Sequence, residues 1–175
     1  MNIGIIIPAF NEEESIALTL QSLLNQTFLP TQIIVVDDAS TDTTSQIVAK
    51  ICTESPIVQL LQRTEKGAHL PGAKVVQTFN FGLSCLQNNI DIICKFDADL
   101  IFPPFYLETM VNQYTQNSQL GMFGGFCYIL KNNHWVLENL TNTDHLRGAV
   151  KSYRKECFKA IGGLKTAMGW DTADE

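Results

Sequence analysis

The chain has 175 residues, 45% of them hydrophobic and 17% charged, which suits one packed domain and not a disordered tail. Lys and Arg total 12 against 18 Asp and Glu, a formal charge of −6. That balance argues against a nucleic-acid module, whose binding depends on cationic surface to displace counterions.

Residues 3–9 form an apolar run through Pro8 and predict a fully buried strand. The polar cluster 11–15 follows. Ile16, Leu20, Leu23 and Leu24 then recur at helical spacing, which predicts a helix over about 13–25. Residues 32–36 read as a second buried strand stopped by Asp37 and Asp38, and 41–51 as a helix capped by oxygens from residues 40–42. A short strand over 57–61 leads into a loop at 64–72 that carries Lys66, Gly67, His69 and Gly72, and then into a helix reaching about Leu86. Residues 91–96 predict a fourth strand, and Pro103-Pro104 open another helix. After residue 120 a run of Gly, Phe, Tyr and Ile predicts extended, antiparallel structure.

Strands alternating with helices imply an α/β fold, a mostly parallel sheet flanked by helices, with a small antiparallel part after residue 120. No repeat, low-complexity tract or linker divides residues 1–175, so a single domain is expected. The charge-free stretch 15–36 is interrupted by Gln21, Asn25, Gln26, Pro30 and Gln32, unlike a spanning helix of about 20 apolar residues. Met1-Asn2 opens on a short apolar run with no basic region or cleavage site of a secretory leader. Cys52, Cys85, Cys94, Cys127 and Cys157 contain no CxxC pair. Scattered in apolar settings, they are expected to be buried and reduced, as in a cytoplasmic protein.

Ligands of open α/β sheets bind beyond the carboxyl ends of the strands, and the polar clusters fall there. Asp97 and Asp99 follow the fourth strand; if the backbone stays extended their side chains point the same way. Two convergent carboxylates call for a cation, which a nucleotide diphosphate would share; a solvated turn explains the pair equally well. Asp37 and Asp38 either accept hydrogen bonds from a base or ribose, or cap the following helix. Phe10 either stacks on a planar ring or joins the core. Lys66, His69 and Lys74 either meet phosphate or form a solvated basic loop.

Taken together, Ile5-Ile6-Ile7-Pro8-Ala9-Phe10-Asn11-Glu12-Glu13, Ser22-Leu23-Leu24-Asn25-Gln26-Thr27, Ile34-Val35-Val36-Asp37-Asp38-Ala39-Ser40-Thr41-Asp42, Phe96-Asp97-Ala98-Asp99 and Ala160-Ile161-Gly162-Gly163-Leu164 resemble the family 2 glycosyltransferases of GT-A fold. The resemblance implies a Rossmann-like nucleotide-binding half over about 1–100 and an acceptor-side half over about 101–175. It implies a nucleotide-diphospho-sugar donor (UDP- or GDP-sugar), a saccharide or lipid-linked acceptor, and inverting transfer in cell-surface polysaccharide or glycolipid synthesis.

Within that resemblance, Asp38 matches the base-recognising aspartate, Phe10 the aromatic beside the base, and Lys74 a position where the family often carries arginine. Asp97 lies near the ribose, and Asp99 is the ligand of Mg2+ or Mn2+. Pro8, Glu12 and Ala98 belong to the same donor surface. Asp171 and Asp174 are the candidates for the catalytic base, with Trp170 as a sugar-facing wall; Gly148, Lys151 and Arg154 either line the acceptor side or lie on a helix or strand surface. Relatives continue past the equivalent of Glu175, so an incomplete chain is expected, with peripheral association at the inner face of the membrane through the missing part. Two rivals remain: a nucleotidyltransferase, disfavoured by the acidic turn after the first strand, and a nucleotide-sugar-binding module without turnover.

Overall fold

In the computed structural model, which describes residues 1–64, 73–138, 145–166 and 169–173, the first apolar run is strand β1 (Ile3–Ala9), buried except at half-buried Pro8. β1 pairs in parallel with β2 (Gln32–Asp37) along most of its length and with β4 (Ile92–Phe96) only over Ile3–Ile6. Pro8, which has no N–H to give a ladder, therefore lies where β1 has one paired neighbour. Helix α1 (Ile16–Leu24) connects β1 to β2, and α2 (Thr44–Glu54) connects β2 to the parallel edge strand β3 (Val58–Gln62). Helix α3 (Ala73–Leu83) returns the chain to β4, and α4 (Tyr106–Gln116) follows it.

The remaining strands are β5 (Met122–Gly124), β6 (Tyr128–Lys131), β7 (His134–Leu137) and β8 (Val150–Arg154), followed by α5 (Lys155–Ala160) and α6 (Trp170–Ala173). The main sheet has the order β3-β2-β1-β4-β8-β5, with β8 antiparallel to both β4 and β5. β6 and β7 form a separate hairpin whose turn residues, Asn132 and Asn133, have φ of 49° and 61°, the left-handed pair that a tight hairpin turn requires. The α/β architecture and the antiparallel part after residue 120 are as expected.

The period-two alternation of the strands divides the core. On one face Ile5, Ile7, Ile33, Val35, Cys94 and Phe96 pack against α1, α2 and α4. On the other, Ile6, Ile34, Val36, Ile93 and Tyr153 pack against α3, α5 and Trp170. Gly82 lets α3 lie close: a Cβ there would stand 2.8 Å from the Cγ2 methyls of Ile6 and Val36. Strand order reverses at β1, with β2 and β3 to one side and β4 to the other. That reversal opens a crevice at the carboxyl ends of β1 and β4.

The cysteines depart from expectation. Only Cys94 is buried, where desolvation pushes its thiol far above the ordinary range; Cys85 is exposed, the other three are half-buried, and all five are free. Among the described residues, no helix is long and apolar enough to cross a membrane.

Candidate active site

The turns after β1 and β2 brace one another. Asn11 and Ala39 both adopt left-handed backbone, at φ 56° and 61°. Asn11 N–H donates to Ser40 Oγ at 2.9 Å, and Thr41 N–H donates to Asn11 Oδ1 at 2.8 Å. Glu13 Oε2 accepts from Thr43 N–H at 2.9 Å, and Asp42 Oδ1 accepts from Thr44 N–H at 3.0 Å, so both carboxylates satisfy orphan amides at the start of α2. Glu12 turns its carboxylate onto Ser15 Oγ, 2.8 Å away. Left-handed Ala39 costs about 1–2 kcal/mol; the bracing bonds offset it.

This bracing gives the two adjacent aspartates different surroundings. Asp37 is buried and its Oδ1 accepts Ser40 N–H at 3.1 Å, so it is the turn former. Asp38 is held by its own amide on Ala9 O at 2.9 Å and turns its carboxylate between two cations. Arg63 Nη1 stands 3.1 Å from Oδ1 and Lys74 Nζ 3.0 Å from Oδ2. Arg63 also donates to Thr78 Oγ1 at 2.8 Å, which fixes the guanidinium on α3. Lys74 Nζ lies 4.5 Å from the ring centroid of Phe10, whose ring is half exposed. An open aromatic face beside a buried carboxylate and two donors suits a planar heterocycle carrying both N–H and C=O groups. Arg63 escaped the sequence reading, although its place just past β3 marked it. Lys66 and His69 lie outside the described residues.

Across β1, the second cluster sits after β4. The strand ends at Phe96 and residues 98–99 form a turn, so Asp97 and Asp99 are not carried on a continuous extended strand. Asp97 N–H donates to Ala149 O at 2.8 Å. Ala98 is buried, and its carbonyl accepts Thr19 Oγ1 from α1 at 2.7 Å. The two carboxylates consequently differ. Asp97 Oδ1 accepts from Nζ of Lys95, which is only 2% exposed; Asp99 is exposed. Lys95 gives Asp97 a cationic partner from within the sheet. Lys95 was legible as a charge two residues before Asp97 in an otherwise apolar strand.

Among the described residues, no group of three or more His, Cys, Asp or Glu side chains is placed to hold a metal ion. An ion here would rest on Asp99 and draw its other oxygens from a donor's phosphates and water, which is how Mg2+ is commonly held. The residues present fit that arrangement.

The third cluster lies beside β8. Asp171 on α6 has Oδ2 3.6 Å from His145 Nε2, a partner that no spacing signal announced. A Cβ on Gly148 would stand 2.9 Å from Asp171 Cβ and 3.1 Å from Trp170 Cζ2; glycine permits that approach. Lys151 Nζ donates to Asp171 O. Two expectations are corrected. Trp170 is 7% exposed and packed in the core below the sheet, not a sugar-facing wall, because a large ring gains more from that burial than from water contact. Arg154 pairs with Ile92 at the opposite end of β4, and its guanidinium donates to Tyr114 O, Asn117 O and Leu120 O, so it braces α4 instead of lining the acceptor side. Asp174 and Glu175 lie outside the described residues.

From Asp99 an apolar cleft of 730 Å³ runs between the start of α4 and the β6–β7 hairpin, lined by Phe102, Tyr106, Phe126, Tyr128 and Trp135 among others. Trp135 is 67% exposed and Phe126 66%.

A mostly parallel sheet with an aromatic and carboxylate platform on one side of β1, an acidic turn on the other and an antiparallel β8 has the GT-A architecture. The model of glycosyl transferase family 2 matches residues 4–163, and the chain belongs to that family. It is 36% identical over 115 residues to an undecaprenyl-phosphate mannosyltransferase of Micrococcus luteus, covering 63% of this chain and 43% of the relative. It is 31% identical over 119 residues to an undecaprenyl-phosphate 4-deoxy-4-formamido-L-arabinose transferase of Photorhabdus laumondii, covering 65% and 34%.

Among solved structures it resembles the mannosyltransferase PcManGT from Pyrobaculum calidifontis in complex with GDP-Man and Mn2+, with a TM-score of 0.76 at 22% identity over 98% of this chain and 50% of that one. It also resembles S. aureus TarS in complex with UDP, with a TM-score of 0.72 at 21% identity over 98% and 53%. The chain spans less than half the length of these two curated relatives and about half of these solved structures.

Proposed function

We propose that the chain moves a sugar, with inversion, from a UDP- or GDP-sugar to an acceptor hydroxyl on a saccharide or lipid-linked molecule in cell-surface polysaccharide or glycolipid synthesis. The observation that carries this reading is the placement of the Asp38–Phe10 platform and the Asp97–Asp99 turn on opposite sides of β1, at the crevice where strand order reverses. A base and a diphosphate can be held at once across that crevice. Residues 1–100 form the donor half and 101–175 the acceptor half.

In this reading Asp38 accepts an N–H of the base, Arg63 and Lys74 meet its carbonyls, and Phe10 covers its ring. Pro8, Glu12 and Ala98 shape the surrounding turns, and Asp97 faces the ribose. Asp99 holds Mg2+ or Mn2+, which supplies Lewis-acid stabilisation of the charge left on the diphosphate. Asp171 takes the acceptor proton as the new bond forms, with His145 beside it; Asp174 is the alternative base. The apolar cleft leading from Asp99 receives the lipid portion of the acceptor. Its hydrophobic lining, together with the undecaprenyl-phosphate sugar transferases among the relatives, favours a lipid-linked acceptor, which would bring the protein to the cytoplasmic face of a membrane.

The test is product analysis. Incubation with UDP- and GDP-sugars, Mn2+ and lipid-linked acceptors should release nucleoside diphosphate and give a glycosylated lipid. Pyrophosphate release would instead mark a nucleotidyltransferase, and binding without release from the longest natural chain a binding module. Asp171→Asn should leave nucleotide binding intact and cut transfer by about a hundredfold or more, the upper range for a positioned general base; near-normal turnover would move the role to Asp174.

A further inference from the structure

Two lysines stand where a parallel-sheet core should be apolar. Lys95 in β4 and Lys151 in β8 are 2% and 0% exposed, and they are direct partners in the antiparallel register. Their side chains therefore share one sheet face, the face that carries Ile93, Tyr153 and Trp170. Buried charge is costly, and like charges directly across a sheet add to that cost. Apolar residues of similar size would commonly match or exceed the stability of such buried charges and their partners. Stability of the sheet alone therefore does not account for them.

What they hold accounts for them better. Lys95 Nζ donates to Asp97 Oδ1 and, at 2.9 Å, to Gly148 O, and lies 5.2 Å from the ring centroid of Trp170. Lys151 Nζ donates to the carbonyl of Asp171. These bonds run to the acidic turn after β4 and to the segments that carry Gly148 and Asp171. Gly148 and α6 already touch so closely that a single Cβ would collide with Asp171.

We propose that Lys95 and Lys151 are positioning residues for transfer, together setting the Asp97–Asp99 turn and Asp171 at a fixed separation. Lys95 anchors the turn to the Gly148–Trp170 layer, and Lys151 anchors α6 through the backbone of Asp171. Neither ammonium is open to substrate, so both act through the residues they hold. This inference rests on the glycosyl transfer proposed above.

The experiment compares the unsubstituted chain with the Lys95→Met/Lys151→Met double variant and with Gly148→Ala. Nucleoside diphosphate release from GDP-mannose and UDP-N-acetylglucosamine is followed with Mn2+ and a lipid-linked saccharide acceptor, beside calorimetric Kd values for GDP and UDP and thermal melting. The double variant leaves Asp97 and the carbonyls of Gly148 and Asp171 without their partners, so some fall in melting temperature is expected. In the folded variant kcat should fall by about a hundredfold, the loss expected from misplacement of about 1 Å, and nucleotide Kd should weaken far less. Gly148→Ala, which displaces Asp171 without removing charge, should show the same loss in kcat with Kd preserved.

A loss of nucleotide Kd as large as the loss of kcat in the double variant would overturn the proposal by making the lysines structural. So would unchanged kcat. Should the double variant fail to fold, Gly148→Ala decides: unchanged kcat rejects the positioning role, and a selective kcat loss supports it. No nucleoside diphosphate release from the unsubstituted chain would reject glycosyl transfer itself, whereas normal release there and in the variants rejects only the positioning.

Discussion

Asp97 and Asp99 stand two positions apart and are held in unlike ways: Asp97 against a buried lysine, Asp99 open at the rim of a cleft. The difference decides which of them is available to a cation. Asp99→Asn should weaken Mn2+-dependent UDP or GDP binding by about tenfold and leave metal-independent binding unchanged, since only one of the few oxygen ligands is lost. Calorimetry with and without Mn2+ reads this directly, and unaltered manganese dependence would refute the assignment. Asp38 presents the opposite case, a carboxylate already shared by Arg63 and Lys74. Asp38→Ala should flatten the ratio of affinities for UDP, GDP and ADP while the fold persists, because the base loses its acceptor. A ratio unchanged within error would place the base elsewhere.

Helix boundaries depart from hydrophobic periodicity at the N-terminal ends of α1 and α2. α1 begins at Ile16 and not near residue 13: residues 13–15 form a turn in which the amides of Ser15 and Ile16 both donate to Glu12 O, at 3.1 and 2.9 Å. α2 begins at Thr44, since residues 40–43 are used to brace the neighbouring turn. Polar residues at a helix start look alike in sequence whether they cap, turn or cross-link. α3 reaches the sheet through Gly82, and here the prediction is one of stability. Gly82→Ala should destabilise the protein by about 1–3 kcal/mol through overpacking against Ile6 and Val36, despite alanine's higher helix propensity. Chemical denaturation measures it; equal or greater stability would show that α3 can shift away from the sheet.

For the whole molecule, the cleft between α4 and the β6–β7 hairpin joins the acidic turn to an exposed aromatic surface. If a lipid-linked acceptor lies there, its hydrocarbon should be felt at Trp135 and not at the nucleotide. Trp135→Ala should raise KM for a lipid-linked acceptor by about tenfold, in keeping with loss of 1.4 kcal/mol or so of aromatic contact, while the Kd for UDP or GDP stays the same. An unchanged acceptor KM would remove the hairpin from the acceptor path.

The buried strands, their alternation with helices and the strand-end location of the polar clusters were all legible in the chain itself. Continuous apolar runs such as residues 3–9 can be satisfied only inside a sheet covered on both faces, and the family motifs lie within those turns. What the chain alone could not assign was the separate state of each charged group. Asp37 and Asp38 are adjacent in sequence, yet one closes a turn and the other meets Arg63 and Lys74, which arrive from β3's end and α3. Trp170 suits a sugar-facing wall and Arg154 the acceptor side or a strand surface until packing buries the first and register carries the second to the far end of β8. Lys95 acquires its partners Gly148 and Trp170 only when segments more than fifty residues away fold over it. Local propensity and periodicity act over a few residues and so are written in the sequence. Desolvation and ion pairing depend on which distant side chains share a volume, and tertiary structure alone decides that.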